Sequence, residues 1–270
     1  TGLESYAACP FRFFLGHILR VDALDDPTEL DQMSGRDVGT LVHAVLERFV
    51  AEAAIATAKA PDEPWSGHER ARLLAIADEE ADRFVAEGRA GRPLLWSVRW
   101  HELRRQLLAI LDADEVLRRS QRMVPVAVEH RFGVDGGEPV TLELGAGRTV
   151  AFKGVIDRVD RSEDGRRLLV VDYKTGSDSS YVDVDDDLTA RGQKLQLAIY
   201  ALAARRDHPG AEEVEARYWF VGPGARAAQR GGVFDATAEA RFRDVVTTVL
   251  DGIAAGRFPA NPGEERWDRG

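Results

Sequence analysis

Between residues 34 and 54 the chain reads SGRDVGTLVHAVLERFVAEAA, with Val38, Leu41, Val42, Val45, Leu46, Phe49 and Val50 three or four positions apart. That spacing predicts an amphipathic helix with a single apolar stripe. Two further helical stretches are expected at roughly 67–88 and 94–120, separated by the breaker GRAGRP. Upstream, LESYAACPFRFFLGH (residues 3–17) reads as a short helix, then Cys9-Pro10 and an aromatic segment, with an acidic loop at 22–32. From Val124 the period changes. VPVAVEHRFGV, VTLELG, TVAFKGVIDRVD and RLLVVDYKT are β-branched segments with turn signals between them. DDLTARGQKLQLAIYALAARR returns to a helical pattern, EVEARYWFVG reads as a strand, and AEARFRDVVTTVLDGIAAG as a closing helix ending near Gly256. The expected order is a helical part (residues 1–122), then an α/β core (123–270) built from an antiparallel β meander, a helix, a strand and a last helix.

Composition narrows this picture. At 270 residues there is ample apolar content for one large or two smaller cores. No apolar run approaches the roughly 20 residues that span a bilayer, so no membrane partner is expected. The single cysteine, Cys9, excludes an internal disulfide framework and fits a reducing, cytoplasmic setting. A net charge of −10 argues against a non-specific coat of nucleic-acid affinity, yet it leaves room for a local basic groove beside metal-binding acids. The chain opens on Thr1 rather than Met and closes on WDRG, as expected of a piece of a longer protein.

The chemistry concentrates in GVIDRVDRSEDGRRLLVVDYKTG, residues 154–176, which reads as a β-hairpin. Strand alternation puts Val155, Asp157 and Val159 on one face of the first arm. Leu168, Val170, Asp172 and Lys174 share a face of the second. A two-residue turn at Asp164-Gly165 would set Asp157 directly opposite Asp172. Opposed like charges destabilise a sheet, and a shared proton or cation relieves them. Divalent Mg²⁺ or Mn²⁺ takes oxygen ligands, and Lys174, on the same face as Asp172, would add an ammonium beside such a site. The competing reading is an ion pair on an exposed sheet face.

Other residues are less decisive alone. His43 lies at the margin of the apolar stripe, with Gly39 and Glu47 four residues away on either side, along one helix edge. It is a packing residue or a nitrogen ligand to the same metal. Glu129 in VPVAVEHRF is a supporting acid behind the ligands, an additional catalytic carboxylate or a solvated strand residue, and Glu47 is a candidate supporting acid. Gln196 and Tyr200 share a helix face at i,i+4 and could orient a phosphate or the lysine. Arg12, Arg20 and Arg158 are candidate contacts to a nucleic-acid backbone.

Taken in order, YAACPFRFF, GTLVHAVLERF, GVIDRVD, VVDYKTG and LQLAIYALAA resemble the PD-(D/E)XK nuclease superfamily, specifically its RecB/AddB-like exonuclease branch. The resemblance covers nearly the whole chain. It implies an α/β, restriction-endonuclease-like core with a mixed central sheet flanked by helices, preceded by an N-terminal helical subdomain. It also implies a divalent-metal-dependent DNA nuclease, an exonuclease in DNA end processing and recombinational repair. On that pattern His43, Asp157, Asp172 and the Tyr173 backbone carbonyl bind Mg²⁺ or Mn²⁺. Lys174 with Asp157, Asp172, Gln196 and Tyr200 forms the catalytic set. The partners so implied are DNA ends, single-stranded or duplex, without sequence readout, and a helicase subunit or domain. The chain itself has no G-x-x-x-x-G-K-[ST] motif. Many members of this branch hold a [4Fe–4S] cluster on one cysteine of the CPF segment and three after the last helix. Cys9 matches the first, and a cluster is expected only if further cysteines follow Gly270. Two other classes stay open at this point: a non-catalytic DNA-binding or scaffold module that has kept the fold, and a docking domain.

Overall fold

The computed structural model describes residues 1–21, 33–222 and 227–261. The acidic loop expected at 22–32 and the end of the tail, 262–270, lie outside the described residues. Helices come first: α1 (Gly2–Ala8), α2 (Pro10–Phe13) with a π-helical turn over Phe14–Ile18, α3 (Gly35–Val50), α4 (Gly67–Ala86) and α5 (Pro93–Gln121). Strands β1 (Met123–Phe132), β2 (Val140–Gly145), β3 (Arg148–Phe152), β4 (Gly154–Ser162) and β5 (Arg167–Lys174) follow. The chain then runs through α6 (Gln196–Asp207), β6 (Glu213–Phe220), β7 (Gln229–Val233) and α7 (Ala236–Ala254). Among the described residues no helix is long and apolar enough to cross a membrane.

The central sheet has the order β1-β4-β5-β6-β7, with β5 and β6 parallel and the other neighbours antiparallel. This mixed sheet flanked by helices is the restriction-endonuclease-like α/β architecture. Alternate residues of β5 go to opposite faces. Leu168 and Val170 pack with Val159, Val214, Ala216, α6 and α7, whereas Leu169, Val171 and Tyr173 pack with Trp219 and the apolar stripe of α3. Both faces are covered, which is why LLVV (residues 168–171) is a continuous apolar run instead of an alternating one.

Two local expectations need correction, and one strand was not expected. TVAFKGVIDRVD is not one strand: it breaks at Lys153, and β3 pairs with β2 in a separate two-stranded sheet while β4 turns into the central one. The helix expected from 186 starts only at Gln196. Ala190, Arg191 and Gly192 all have positive φ (41°, 56° and 93°), a run no right-handed helix can contain. Asp187 holds that run, accepting from the Thr189 and Arg191 N–H groups at 3.0 Å each. Strand β7, QRGGV, gave no period-2 signal. Its pairing with β6 brings Gly231 against the Ala216 backbone, where no side chain fits.

Candidate metal centre

The hairpin has the expected register but a different turn. Arg158 pairs with Val171 and Val159 with Val170, as a turn centred on Asp164-Gly165 requires. The closing bond instead runs from the Gly165 N–H to the Ser162 carbonyl, which puts Glu163-Asp164 at the centre and leaves Gly165 with φ 75°. Asp164 draws this turn tight by accepting from the Ser162 hydroxyl at 2.6 Å and the Arg166 N–H at 3.1 Å.

Pairing of β4 with β5 stops at Arg158–Val171, one residue short of Asp157 and Asp172. There the Asp157 carboxylate takes the Tyr173 N–H itself, at 2.7 Å. Alternation along β4 slips at the same point: Ile156, not Val155, joins Val159 in the core beneath α6. The two acids are thus relieved separately. Asp172, 1% exposed, forms an ion pair with Lys174, and Asp157 has the Tyr173 amide and His43. Burial pushes Asp172 up to about 6, with the Asp157 charge adding and the Lys174 ammonium opposing.

His43 reaches this opening from α3. Its Nδ1 lies 3.3 Å from Asp157 Oδ1 and its Nε2 2.9 Å from the Tyr173 carbonyl. Burial alone would lower the imidazole, but Asp157, Asp172 and that carbonyl outweigh it and hold it above its ordinary value. Gly39 faces the neighbouring loop, where a Cβ would make ordinary contact with Thr175 Oγ1 at 3.5 Å. Gly39, His43 and Glu47 form one wall of an open cleft of about 390 Å³, and Glu129 stands on the other.

Glu129 is closer to the centre than its sequence context suggested. One donor atom each from His43, Glu129 and Asp157 lie within 4.8 Å of one another. Burial first, then the charges of Glu47 and Asp157, pushes the Glu129 carboxyl upward. It takes a left-handed φ of 47°, costly for a side chain, in a strand whose register shifts between Pro125 and Ala127. Pro125 was the available signal, because proline inside a strand marks an edge or a bulge. One imidazole, carboxylate oxygens and a peptide carbonyl form a donor set that fits Mg²⁺ or Mn²⁺. Asp172 is not in that compact group, and neither is Glu47, which is exposed.

On the opposite side of Asp172 a polar chain begins. Lys174 Nζ donates to Gln196 Oε1 at 2.9 Å, and Gln196 Nε2 donates to the Tyr200 hydroxyl at 2.8 Å. The structure therefore brings together His43, Asp157 and Glu129 on one side of the β4–β5 opening, and Asp172, Lys174, Gln196 and Tyr200 on the other.

Arg158 is not a backbone contact. It is 2% exposed and bonds Asp160 through Nε at 2.6 Å and Nη2 at 2.7 Å, with Nη1 2.6 Å from Asp114 of α5. Asp114 is shared with Arg118 and the Trp65 indole. Arg12 and Arg20 are exposed. Cys9 Sγ accepts from the Arg12 and Asn261 N–H groups, and as the sequence's single cysteine it cannot supply the four thiolates of a cluster.

Comparisons with known proteins agree with this fold. A family model described as PD-(D/E)XK nuclease superfamily matches residues 1–266. A protein of Symbiobacterium thermophilum, named as a subunit of an ATP-dependent helicase/deoxyribonuclease, is 36% identical over 218 residues, 74% of this chain and 17% of that protein. Proteins of the same name from Acetivibrio thermocellus and Moorella thermoacetica are each 33% identical, over 64% and 75% of this chain. The chain spans 15% and 17% of those two relatives' lengths.

Proposed function

This chain belongs to the PD-(D/E)XK nuclease superfamily, and on that footing we propose that it hydrolyses phosphodiester bonds of DNA with the help of a divalent metal. The single observation that carries the reading is the convergence of His43, Glu129 and Asp157 on one point beside the Lys174–Asp172 pair. These three residues would hold Mg²⁺ or Mn²⁺, with the Tyr173 carbonyl and Asp172 beside them. When bound, the ion supplies Lewis-acid polarisation of a phosphate oxygen and acidifies a water.

The chain's own residues do the rest. Lys174 presents an ammonium at the mouth of the β4–β5 opening, where it neutralises charge developing on the phosphate and orients the attacking water. Asp172 holds that ammonium in place through their ion pair. Gln196 fixes its direction through the 2.9 Å bond, and Tyr200 fixes Gln196 in turn. His43 and the Tyr173 amide hold the Asp157 carboxylate in place. The polar chain from Lys174 to Tyr200 favours an enzyme over a scaffold that has only kept the fold, since an idle lysine gains nothing from being aimed.

The reading extends to a setting in which the nuclease works beside a helicase on broken DNA ends, as an exonuclease without sequence preference and in the cytoplasm. The relatives' names support the first part. The test incubates the protein with linear and circular DNA, single- and double-stranded, in Mg²⁺, Mn²⁺ or EDTA. Metal-dependent loss of linear DNA is expected. Absence of cleavage on every substrate, or cleavage undiminished in EDTA, overturns the proposal.

A further inference from the structure

Helix α6 begins at Gln196, yet nothing in its own sequence caps it. Leu195, at the cap position, is fully buried and has no side chain able to accept a hydrogen bond. Its backbone N–H is met by Glu4 Oε1 of α1, at 2.7 Å and across 191 positions of sequence. In a capping box the carboxylate that satisfies this N–H comes from the third residue of the same helix. Here the third residue is Ala198, and α1 supplies the group instead.

The next residue along is Gln196, whose Oε1 accepts from Lys174. Two bonds, through the adjacent residues Leu195 and Gln196, therefore connect α1 to the candidate catalytic lysine: Leu195 to Glu4, and Lys174 to Gln196, with Lys174 paired in turn to Asp172. Helix α1 is itself clamped. The Tyr6 hydroxyl donates to the Arg257 carbonyl at 2.6 Å, its ring fills the space beside Gly252 of α7, and Ala7 packs against Gly192 so closely that a Cβ there would stand 2.9 Å away. That contact falls on the left-handed run that delivers α6.

We infer that Glu4 is a positioning residue, which fixes the first turn of α6 and through Gln196 sets the direction of the Lys174 ammonium. Leaving the buried Leu195 N–H unmet frees the turn to shift or fray, and Gln196 leaves the lysine with it. The inference rests on the nuclease reading for the lysine's role, whereas the mechanical link stands on the geometry of α1 and α6 alone.

The test compares the intact protein with Glu4→Ala, Glu4→Gln, Gln196→Ala and the Glu4→Ala/Gln196→Ala double variant. Hydrogen exchange over residues 195–200 reads the link without any need for activity. Exchange there should rise in Glu4→Ala and return toward the parent in Glu4→Gln, whose amide oxygen can still accept. On DNA, kcat of Glu4→Ala should fall about tenfold with KM and metal affinity unchanged. The double variant should be no slower than Gln196→Ala, because both changes cut the same chain. Unchanged exchange in Glu4→Ala, or losses that multiply in the double variant, overturn the inference. Failure of the nuclease reading shows separately, as a parent protein that does not cut DNA, and the exchange result then decides the link.

Discussion

The Asp157 carboxylate accepts the Tyr173 backbone N–H at 2.7 Å, where the β4–β5 ladder would otherwise have continued. One side chain thereby ends the pairing, parts the two strands, and leaves the Tyr173 carbonyl free for His43 at 2.9 Å. The opening that receives the candidate metal ligands is made by the first of those ligands. Asp157→Ala should therefore change local structure as well as metal binding, while Asp157→Asn, which keeps an oxygen for the amide, should lose metal binding alone. Mn²⁺ titration read beside hydrogen exchange over residues 154–158 and 171–175 separates the two effects.

Glu129 combines a ligand position with a φ of 47°. A left-handed residue with a side chain costs about 1 kcal/mol or more, and glycine removes that cost. Glu129→Gly should be more stable than the parent by about 1 kcal/mol in EDTA, by urea unfolding. The same variant should bind Mn²⁺ more weakly, so that stability gained without metal is offset when metal is present.

How much of this was legible depended on how local the cause was. His43, Asp157, Asp172, Lys174, Gln196 and Tyr200 could be named as candidates because local spacing and the resemblance single them out without reference to anything distant. The sheet order was not, since the split of TVAFKGVIDRVD at Lys153 depends on which partner each half finds. Glu129 could be read as an acid near the site, but its convergence on His43 depends on a bulge in β1. Arg158 misled for a related reason: an arginine beside a candidate catalytic acid suggests phosphate, and only the arrival of Asp114 from α5 explains its burial. Glu4 gave no signal, because its partner is 191 residues away.

Arg158 offers a direct check of that correction. Arg158→Met leaves Asp114 and Asp160 buried with reduced compensation, and should cost about 3–5 kcal/mol by urea unfolding. The salt dependence of DNA binding by the folded fraction should be unchanged, whereas loss of a phosphate contact would reduce its slope by about 1.

Asp187 provides a pH dependence away from the metal centre. Burial raises its pKa, but the Arg191 N–H and the Thr189 hydroxyl and N–H outweigh it and hold the carboxyl below its ordinary value. A depressed folded pKa gives stability that is present above the unfolded value and lost as pH falls through the folded one. The stability difference between the parent and Asp187→Asn should therefore be constant above about pH 5 and shrink below about pH 4. Urea unfolding across that range measures it, and a difference that grows on acidification would contradict the assignment.

The central claim is that Lys174, aimed by its neighbours, acts on a phosphate beside a metal held by His43, Glu129 and Asp157. The measurement that tests it most directly is the single-turnover cleavage rate of end-labelled linear DNA in Mn²⁺, for the parent and for Lys174→Met, with Mn²⁺ binding measured on the same samples. The account predicts that both proteins bind the metal and that cleavage falls by about a hundredfold or more in the variant. Cleavage by Lys174→Met at the parent's rate, with metal bound in both, would contradict it.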